Sequence, residues 1–383
     1  MKTQDITFGE DLAFLRDHVE TVVLKDSAGK AQAVVSPSLQ GRVLTSSADG
    51  EHGLSFGWIN RALIASGKIE EHINAYGGED RFWLGPEGGQ YSVFFAKGAP
   101  FDLDHCFVPA PIDTDPFPLL SRTGSRARMT KDIQLVNYSG ASFSLRADRE
   151  IEVLEREEAL RLLGVEPPAA VKSVAYQSVN KISNTGNQAW TKESGLLSIW
   201  IVGMFPARSA TVILPFIPGP ETNLGPLVND AYFGKVPSDR LRLGQNVLFF
   251  KGDGQRRSKI GLSPRRARPV LGSYDAEHQA LTIVHYTKPG GMPDYVNSMW
   301  EIQKEPYCGD TVHSYNDGPA KPGSSALGPF YELETSSPAA ALSPRASCEH
   351  IHRTFHLQGA EKDLDPVSRA VLGASLDEIK KAF

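Results

Sequence analysis

The stretch Phe330-Tyr331-Glu332-Leu333-Glu334-Thr335, followed beyond a loop over 336–347 by Cys348-Glu349-His350-Ile351-His352-Arg353-Thr354-Phe355-His356-Leu357, decides how this chain is read. Side chains alternate across a strand with period two. Glu332 and Glu334 therefore point one way and Leu333 the other, while His350, His352 and His356 share a face opposite Ile351, Phe355 and Leu357. The apolar partners mark the core side. With Pro338 and Pro344 turning the chain back, the two segments read as one antiparallel pair. A central register then sets Glu334 opposite His350 and Glu332 opposite His352, at about 4.5–5.5 Å between Cβ atoms. Two carboxylates and three imidazoles would gather on one face, as proton-transfer groups or as metal ligands. Two readings compete with this: a solvated face of ordinary polar residues, and a one-residue slip that sends one polar set to the other side, since alternation is specified better than register.

Outward from this pair the chain continues to read as strands. After a short helix over 10–18, the segments 21–25, 32–36 and 41–46 form an opening trio, the first turn being made by Asp26-Ser27-Ala28-Gly29. Further β segments are predicted over 91–97, 133–138, 143–153, 173–183, 197–202, 210–216, 246–251, 280–286 and 296–302. Helix is sparse: 155–163, closed by Gly164, and one or two more helices over 368–381, with Ser375 capping 376–382. The fold class expected is mainly β, a large antiparallel sandwich with few short helices. The 35 glycines and 26 prolines punctuate rather than cluster, so no linker is visible, and the expectation is one domain over 1–383 with a short helical tail from about 364 to 383. Long loops are expected over 218–243 and 317–329.

Composition removes several classes of function. The chain of 383 residues carries a net charge of −5, and no apolar run approaches the roughly 18 residues that a membrane-spanning helix needs. Its acidic balance disfavours a nucleic-acid partner, whose phosphates need a clustered basic footprint. The one basic cluster, Arg256, Arg257, Lys259, Arg265, Arg266 and Arg268, lies among glycines and Pro264 and reads as an exposed loop rim. Three cysteines without C-x-x-C spacing exclude a disulfide framework or a cysteine zinc site as the organising element. The N-terminal residues lack the apolar core of a signal peptide, which gives a cytoplasmic expectation. There is no phosphate-binding G-x-x-x-x-G-K-[ST], no strand, G-x-G-x-x-G, helix unit and no G-x-S-x-G elbow.

Two other stretches concentrate polar chemistry. In 71–91, glycines and Pro86 imply tight loops rather than a continuous strand, and within them His72, Asn74, Arg81, Trp83 and Glu87 offer hydrogen-bond partners and an aromatic platform. A sugar needs such a mixture for its hydroxyls and its C–H face. The plainer reading makes Phe82 and Trp83 core and pairs Arg81 with Glu79 or Glu87. In 307–319, His313 sits in a polar loop just upstream of the closing strands and is a candidate general acid, its ordinary pKa near 6.5 suiting proton transfer. Asn180, Lys181, Asn184 and Trp190 read as a structural polar cluster.

The chain resembles the galactose-mutarotase-like (aldose 1-epimerase-like) superfamily at both ends. The opening "LKDSAGKAQAVVSPSLQGRVLTSS" is similar to that superfamily's first strands, and "GGEDRFWLGPEGGQY" falls where its arginine-bearing substrate loop is expected. "FYELETSSPAAALSPRASCEHIHRTFHL" is similar to its closing strands, in which a Leu-Glu-Thr strand carries the catalytic base. The resemblance implies a β-supersandwich, a small carbohydrate or glycoside as ligand, Glu334 as base, Arg81 as the substrate arginine and His313 as general acid. The superfamily's Asn-His-Leu-His-Gly-Gly and His-Pro-Tyr-Phe motifs are absent, which marks a divergent branch.

The expected function is a carbohydrate-active enzyme of epimerase, lyase or hydrolase type. In it Glu334, His313 and His350 are catalytic, and His72, Asn74, Arg81, Trp83, Glu87, Glu332 and His352 bind substrate. No cofactor is required. One alternative makes His350, His352 and Glu334 the ligands of a divalent metal; another is a sugar-binding module without catalysis.

Overall fold

The computed structural model describes residues 6–208, 210–291, 293–321 and 323–383. Its strands form three antiparallel sheets. Val22–Lys25, Gln32–Ser36 and Arg42–Ser47 make the opening trio. A ten-stranded sheet has at its centre Ala280–Tyr286, Ser347–Gln358, Lys172–Asn184 and Ser142–Val153 as successive neighbours. A five-stranded sheet runs in the order Ser258–Leu262, Val312–Asn316, Phe330–Ser336, Ser198–Pro206, Arg81–Gly85. The architecture is the large antiparallel sandwich with few short helices that the alternation implies.

Burial explains which patterns were easy to read. Ser142–Val153 alternates buried and wetter residues along its whole length, as expected of an antiparallel sheet with one solvated face. Phe330–Ser336 and Ser258–Leu262 are buried on both faces. One face of the five-stranded sheet packs Tyr331, Leu333, Ile260 and Val312 against Val212, Leu271 and Val284 of the large sheet. The other face lies under loops. The C-terminal helices, Glu361–Leu372 and Leu376–Lys380, cover the far side of the large sheet through Leu364, Val367, Leu372 and Ile379, which pack with Phe355 and Leu357. Ser375 caps the second of them in a capping box with Glu378. No helix among the described residues is long and apolar enough to cross a membrane.

The closing strands are not partners, which corrects the expected hairpin. Phe330–Ser336 pairs with Val312–Asn316 and Ser198–Pro206, whereas Ser347–Gln358 pairs with Ala280–Tyr286 and Lys172–Asn184. Both edges of each strand are thus taken by other chain segments, and the loop over 337–346 carries the chain from one sheet to the other. The two strands meet face to face instead. Thr335 Oγ1 lies 2.8 Å from His350 Nε2 and 2.9 Å from His352 Nδ1. His356 Nε2 lies 2.8 Å from Glu79 Oε2. The three imidazoles do share a face, but it looks into the sandwich, where His350 and His352 meet Thr335 and His356 meets Glu79, while Glu332 and Glu334 look out of it.

Smaller departures have local causes. Residues 91–97 form no strand: Ser92 Oγ donates to the Glu87 carbonyl and accepts from Phe94 N, a side-chain turn that displaces ladder bonding. Residues 296–302 are likewise held by Asn297, whose side chain accepts from Met299 N at 3.0 Å. His313 lies on a strand rather than in a loop, and Arg81–Gly85 is a strand although glycines surround it. The short helix Glu221–Leu224 and the strand Leu241–Leu243 interrupt the loop expected over 218–243.

The buried imidazoles make the fold acid-sensitive. Burial pushes His350 down to about 3 and His352 down to about 4, from an ordinary 6.5. Both are depressed in the folded state, so stability is whole above pH 6.5 and is lost as the pH falls toward those values. Each pH unit in that window costs about 1.4 kcal/mol per histidine. Thermal unfolding followed from pH 7 to pH 4.5 is expected to show a steep fall in Tm, shallower in His350→Gln. Thr335→Val, which leaves both imidazoles without that hydroxyl, is expected to cost about 2–4 kcal/mol in urea denaturation at pH 7.

Candidate functional site

The outward face of the five-stranded sheet is set by register. One row of facing residues runs Arg81, Val202, Glu334, His313, Gly261, and the next runs Met204, Glu332, Tyr315, Lys259. Trp83 and Trp200 face each other beyond the first row. Above this surface opens a cleft of about 290 Å³. Its walls include Trp83, Trp200 and Trp300, three of the five tryptophans in the chain, together with Arg81, Lys259 and Glu332.

The charged groups pair diagonally. Lys259 Nζ donates to Glu334 Oε2 at 2.8 Å, and Trp200 Nε1 donates to the same oxygen at 2.9 Å. Arg81 Nη2 donates to Glu332 Oε1 at 3.2 Å, and its guanidinium lies 3.8 Å from the centroid of the Trp83 ring. Burial would lower Lys259, but the carboxylates of Glu334 and Glu87 outweigh it and hold the ammonium above its ordinary range. Burial pushes Glu332 up to about 8, with Arg81 opposing and Glu334 reinforcing the shift. Burial also raises Glu87.

His313 stands behind the cleft wall. Its Nδ1 is 3.9 Å from Glu334 Oε2, and its Nε2 is 3.0 Å from the Tyr232 hydroxyl. That hydroxyl donates to Asp310 Oδ2 at 2.6 Å, so toward the ring it accepts; Nε2 carries the proton and Nδ1 the lone pair. Burial first, then the Lys259 charge, holds His313 well below its ordinary value. Burial raises Asp310 to about 6 against its hydrogen bonds from Tyr232 and Asn229. Gly261 is required here: a Cβ would sit 2.3 Å from Asp310 Oδ2 and 2.9 Å from His313 Cδ2.

The residues singled out from sequence divide clearly. His72, Arg81, Trp83, Glu87 and Glu332 line the cleft. Glu334 and His313 lie beneath it, fully or nearly fully buried. Asn74 does not face it: both its backbone N–H and its amide donate to Asp113 Oδ2, and it also ties to Glu70, so its side chain is committed to a loop. His350 and His352 face away, across the sheet. They therefore do not form a common ligand set with Glu334, and among the described residues no group of three or more His, Cys, Asp or Glu is arranged to hold a metal ion. The structural alternative for Arg81 is also corrected, because its ion pair is with Glu332 rather than Glu79 or Glu87.

Sequence reading missed Lys259, Arg257 and Trp200. The basic cluster is an exposed rim only in part: Arg256, Arg265 and Arg268 are exposed, whereas Lys259 is 4% and Arg266 1% exposed, and Arg257 lines the cleft. The alternation Ser258-Lys259-Ile260-Gly261-Leu262 was the available signal for a strand with a lysine on one face. Trp200 gave none, because Ile199, Trp200, Ile201 and Val202 are apolar on both faces.

A family model matches residues 6–383. The chain belongs to a family of unknown function (DUF6786). No curated protein matches it. Among solved structures, this DUF6786 chain is similar to a provisionally assigned aldose 1-epimerase from Escherichia coli K12, at 12% identity and TM-score 0.53, covering 88% of this chain and 98% of that one. It is similar to the Slr1438 protein from Synechocystis sp. PCC 6803 at 12% identity and TM-score 0.50, over 89% and 96% of the two chains. A galactose mutarotase-like protein from Lactobacillus casei ATCC 334 matches at 11% identity and TM-score 0.48, over 88% and 100%. The fold is the galactose-mutarotase-like supersandwich.

The Lys259–Glu334 pair is open to a direct test in this DUF6786 chain. Removing one member of a buried pair strands the other charge, at a cost of about 3–5 kcal/mol. Lys259→Met is expected to lose that much in urea denaturation at pH 7, and Lys259→Met with Glu334→Leu to recover most of it. An unchanged midpoint for Lys259→Met would show that Glu334 is held by other means.

Proposed function

We propose that this chain is a carbohydrate-active enzyme that processes a sugar or glycoside by proton transfer in the cleft, with Glu332 as the exchanging group. One observation carries the reading: buried polar atoms without hydrogen-bond partners gather at this site. They are Arg81 Nε and Nη1 and Trp83 Nε1 in the cleft wall, with Glu334 Oε1 beneath it. Folded proteins leave few such groups unpaired, and a ligand rich in hydroxyls supplies partners for donors and acceptors together. Three indole rings offer faces for the C–H surface of a sugar. The fold shared with a protein provisionally named an aldose 1-epimerase supports the same ligand class.

Glu332 is placed for the chemistry by exposure and by charge. It lines the cleft, and burial raises its carboxyl above the ordinary carboxylate range against the pull of Arg81, so it can hold a proton, deliver it and take one back. Arg81 holds one carboxyl oxygen and fixes its direction. Lys259 and Trp200 bind ligand oxygens and ring face while anchored on Glu334. A second reading keeps Glu334 as the base, with Oε1 as the reactive oxygen and His313 at its side; its unpaired Oε1 favours this. In both, the residues act on a proton of the bound sugar, and epimerisation, elimination and hydrolysis are the outcomes to be separated.

Proton NMR of free sugars, glycosides and oxidised sugars incubated with the protein distinguishes anomer exchange, elimination and cleavage in one measurement. With Glu332 as the acid, the rate is expected to fall as pH rises through about 8, and Glu332→Gln to lower kcat by about 10²–10⁴. If Glu332→Gln keeps the wild-type rate and Glu334→Gln abolishes it, the second reading stands. No turnover with any sugar, with binding retained, leaves a sugar-binding module.

A further inference from the structure

Charge accounting in the cleft goes beyond its affinity for sugars in general. Three cations reach it: Arg81, Arg257 and Lys259. Lys259 is spent on Glu334, and Arg81 shares one nitrogen with Glu332. Arg257 makes no ion pair with a carboxylate among the described residues, and only its longer-range charge acts on the buried Glu87. Its guanidinium lies over the rings of Phe233 at 3.6 Å and Trp300 at 5.5 Å, both of which line the same cleft. Stacking of this kind fixes a guanidinium in place without neutralising it or consuming its five donors.

Arg81 adds a second, independent sign. Only 2% of it is exposed, yet Nε and Nη1 have no acceptor. A buried guanidinium with two idle nitrogens is costly unless an oxygen anion or hydroxyl arrives to meet them. The acids on the same walls do not fill that role. Asp317 is occupied by the Tyr315 hydroxyl at 2.8 Å and by Gly328 N at 2.9 Å, and burial raises Asp317, Glu87 and Glu332 alike, which weakens their claim on the cations.

Resting on the sugar reading above, we propose that the ligand is an acidic sugar, one that carries a carboxylate, and that Arg257 and Arg81 receive that carboxylate. A planar carboxylate suits the planar fork of a guanidinium, which binds it through two parallel hydrogen bonds.

The test uses the full chain and calorimetric titration with methyl glucuronide and methyl galacturonide, each against its neutral methyl glycoside, and with glucose 6-phosphate. The uronides are expected to bind at least about tenfold tighter than the neutral glycosides, a difference of about 1.4 kcal/mol. That margin is expected to shrink when salt is raised from about 0.05 to about 0.5 M, because screening acts on the charged ligand alone. In Arg257→Gln the ratio of uronide to neutral affinity is expected to fall about tenfold, with Arg257→Lys keeping part of it. Equal binding of uronides and neutral glycosides overturns the acidic-sugar assignment and leaves the sugar reading intact. Tighter binding of glucose 6-phosphate than of either uronide overturns the assignment of a carboxylate. Binding of none of these sugars by the wild-type protein overturns the sugar reading and this inference with it. The wild-type salt dependence decides even if an Arg257 variant does not fold.

Discussion

An ammonium and a carboxylate taken out of water must hold each other, and the Lys259–Glu334 pair imposes that condition on the whole outward face of the small sheet. Neither residue is its partner's direct neighbour. Lys259 lies in the row of Tyr315 and Glu332, yet it reaches past Tyr315 to Glu334 in the next row. Arg81, in the row of Glu334, reaches the other way to Glu332. The two bonds cross the sheet diagonally, a reach that long side chains allow. A shift of register in any of the five strands would break one bond and strand a charge, so the pairing that positions the site also fixes the sheet.

The crossed arrangement gives two neighbouring carboxyls different circumstances. Glu334 has an ammonium and an indole N–H on one oxygen at 2.8 and 2.9 Å, whereas Glu332 has a single longer bond at 3.2 Å and a neighbouring carboxylate. Burial then pushes Glu332 up to about 8. Acid/base sites are commonly built by setting like groups in unlike environments. Here the difference follows from which cation reaches which acid, and the Trp200 indole adds to it on the Glu334 side alone.

The sandwich was legible because several long strands of the large sheet have one wet face, so apolar and polar residues alternate visibly, as along Arg126–Val136, Ser142–Val153 and Lys172–Asn184. The small sheet was harder. Its strands are covered on both sides, and where both faces are buried the pattern of residues no longer tells them apart. Trp200 could not be separated from Ile199 and Ile201 on that ground. Lys259 was hidden differently: a lysine among glycines and arginines reads as solvent-exposed, and only the acid it meets, 75 residues away in sequence, makes its burial tolerable. The polar alternation of the closing strands was read correctly, but the partner of each strand was not, because pairing depends on chain segments remote in sequence.

That mistaken pairing bears on how the site is held. Thr335 follows Glu334 directly and points to the other face, where its hydroxyl meets His350 and His352. The strand is therefore tied to the large sheet at the residue next to the one that holds Lys259 and Trp200. A reactive carboxyl gains little from good neighbours if its backbone can drift, and sites on strands pinned from behind keep their geometry better than sites on loops. The two histidines, which sequence alone placed among the reacting groups, support the carboxylates from the opposite side of the sheet. Their neutrality is part of that support: burial holds both imidazoles below their ordinary range, and the one carboxylate that acts on His352, Asp80, is already paired with Arg149.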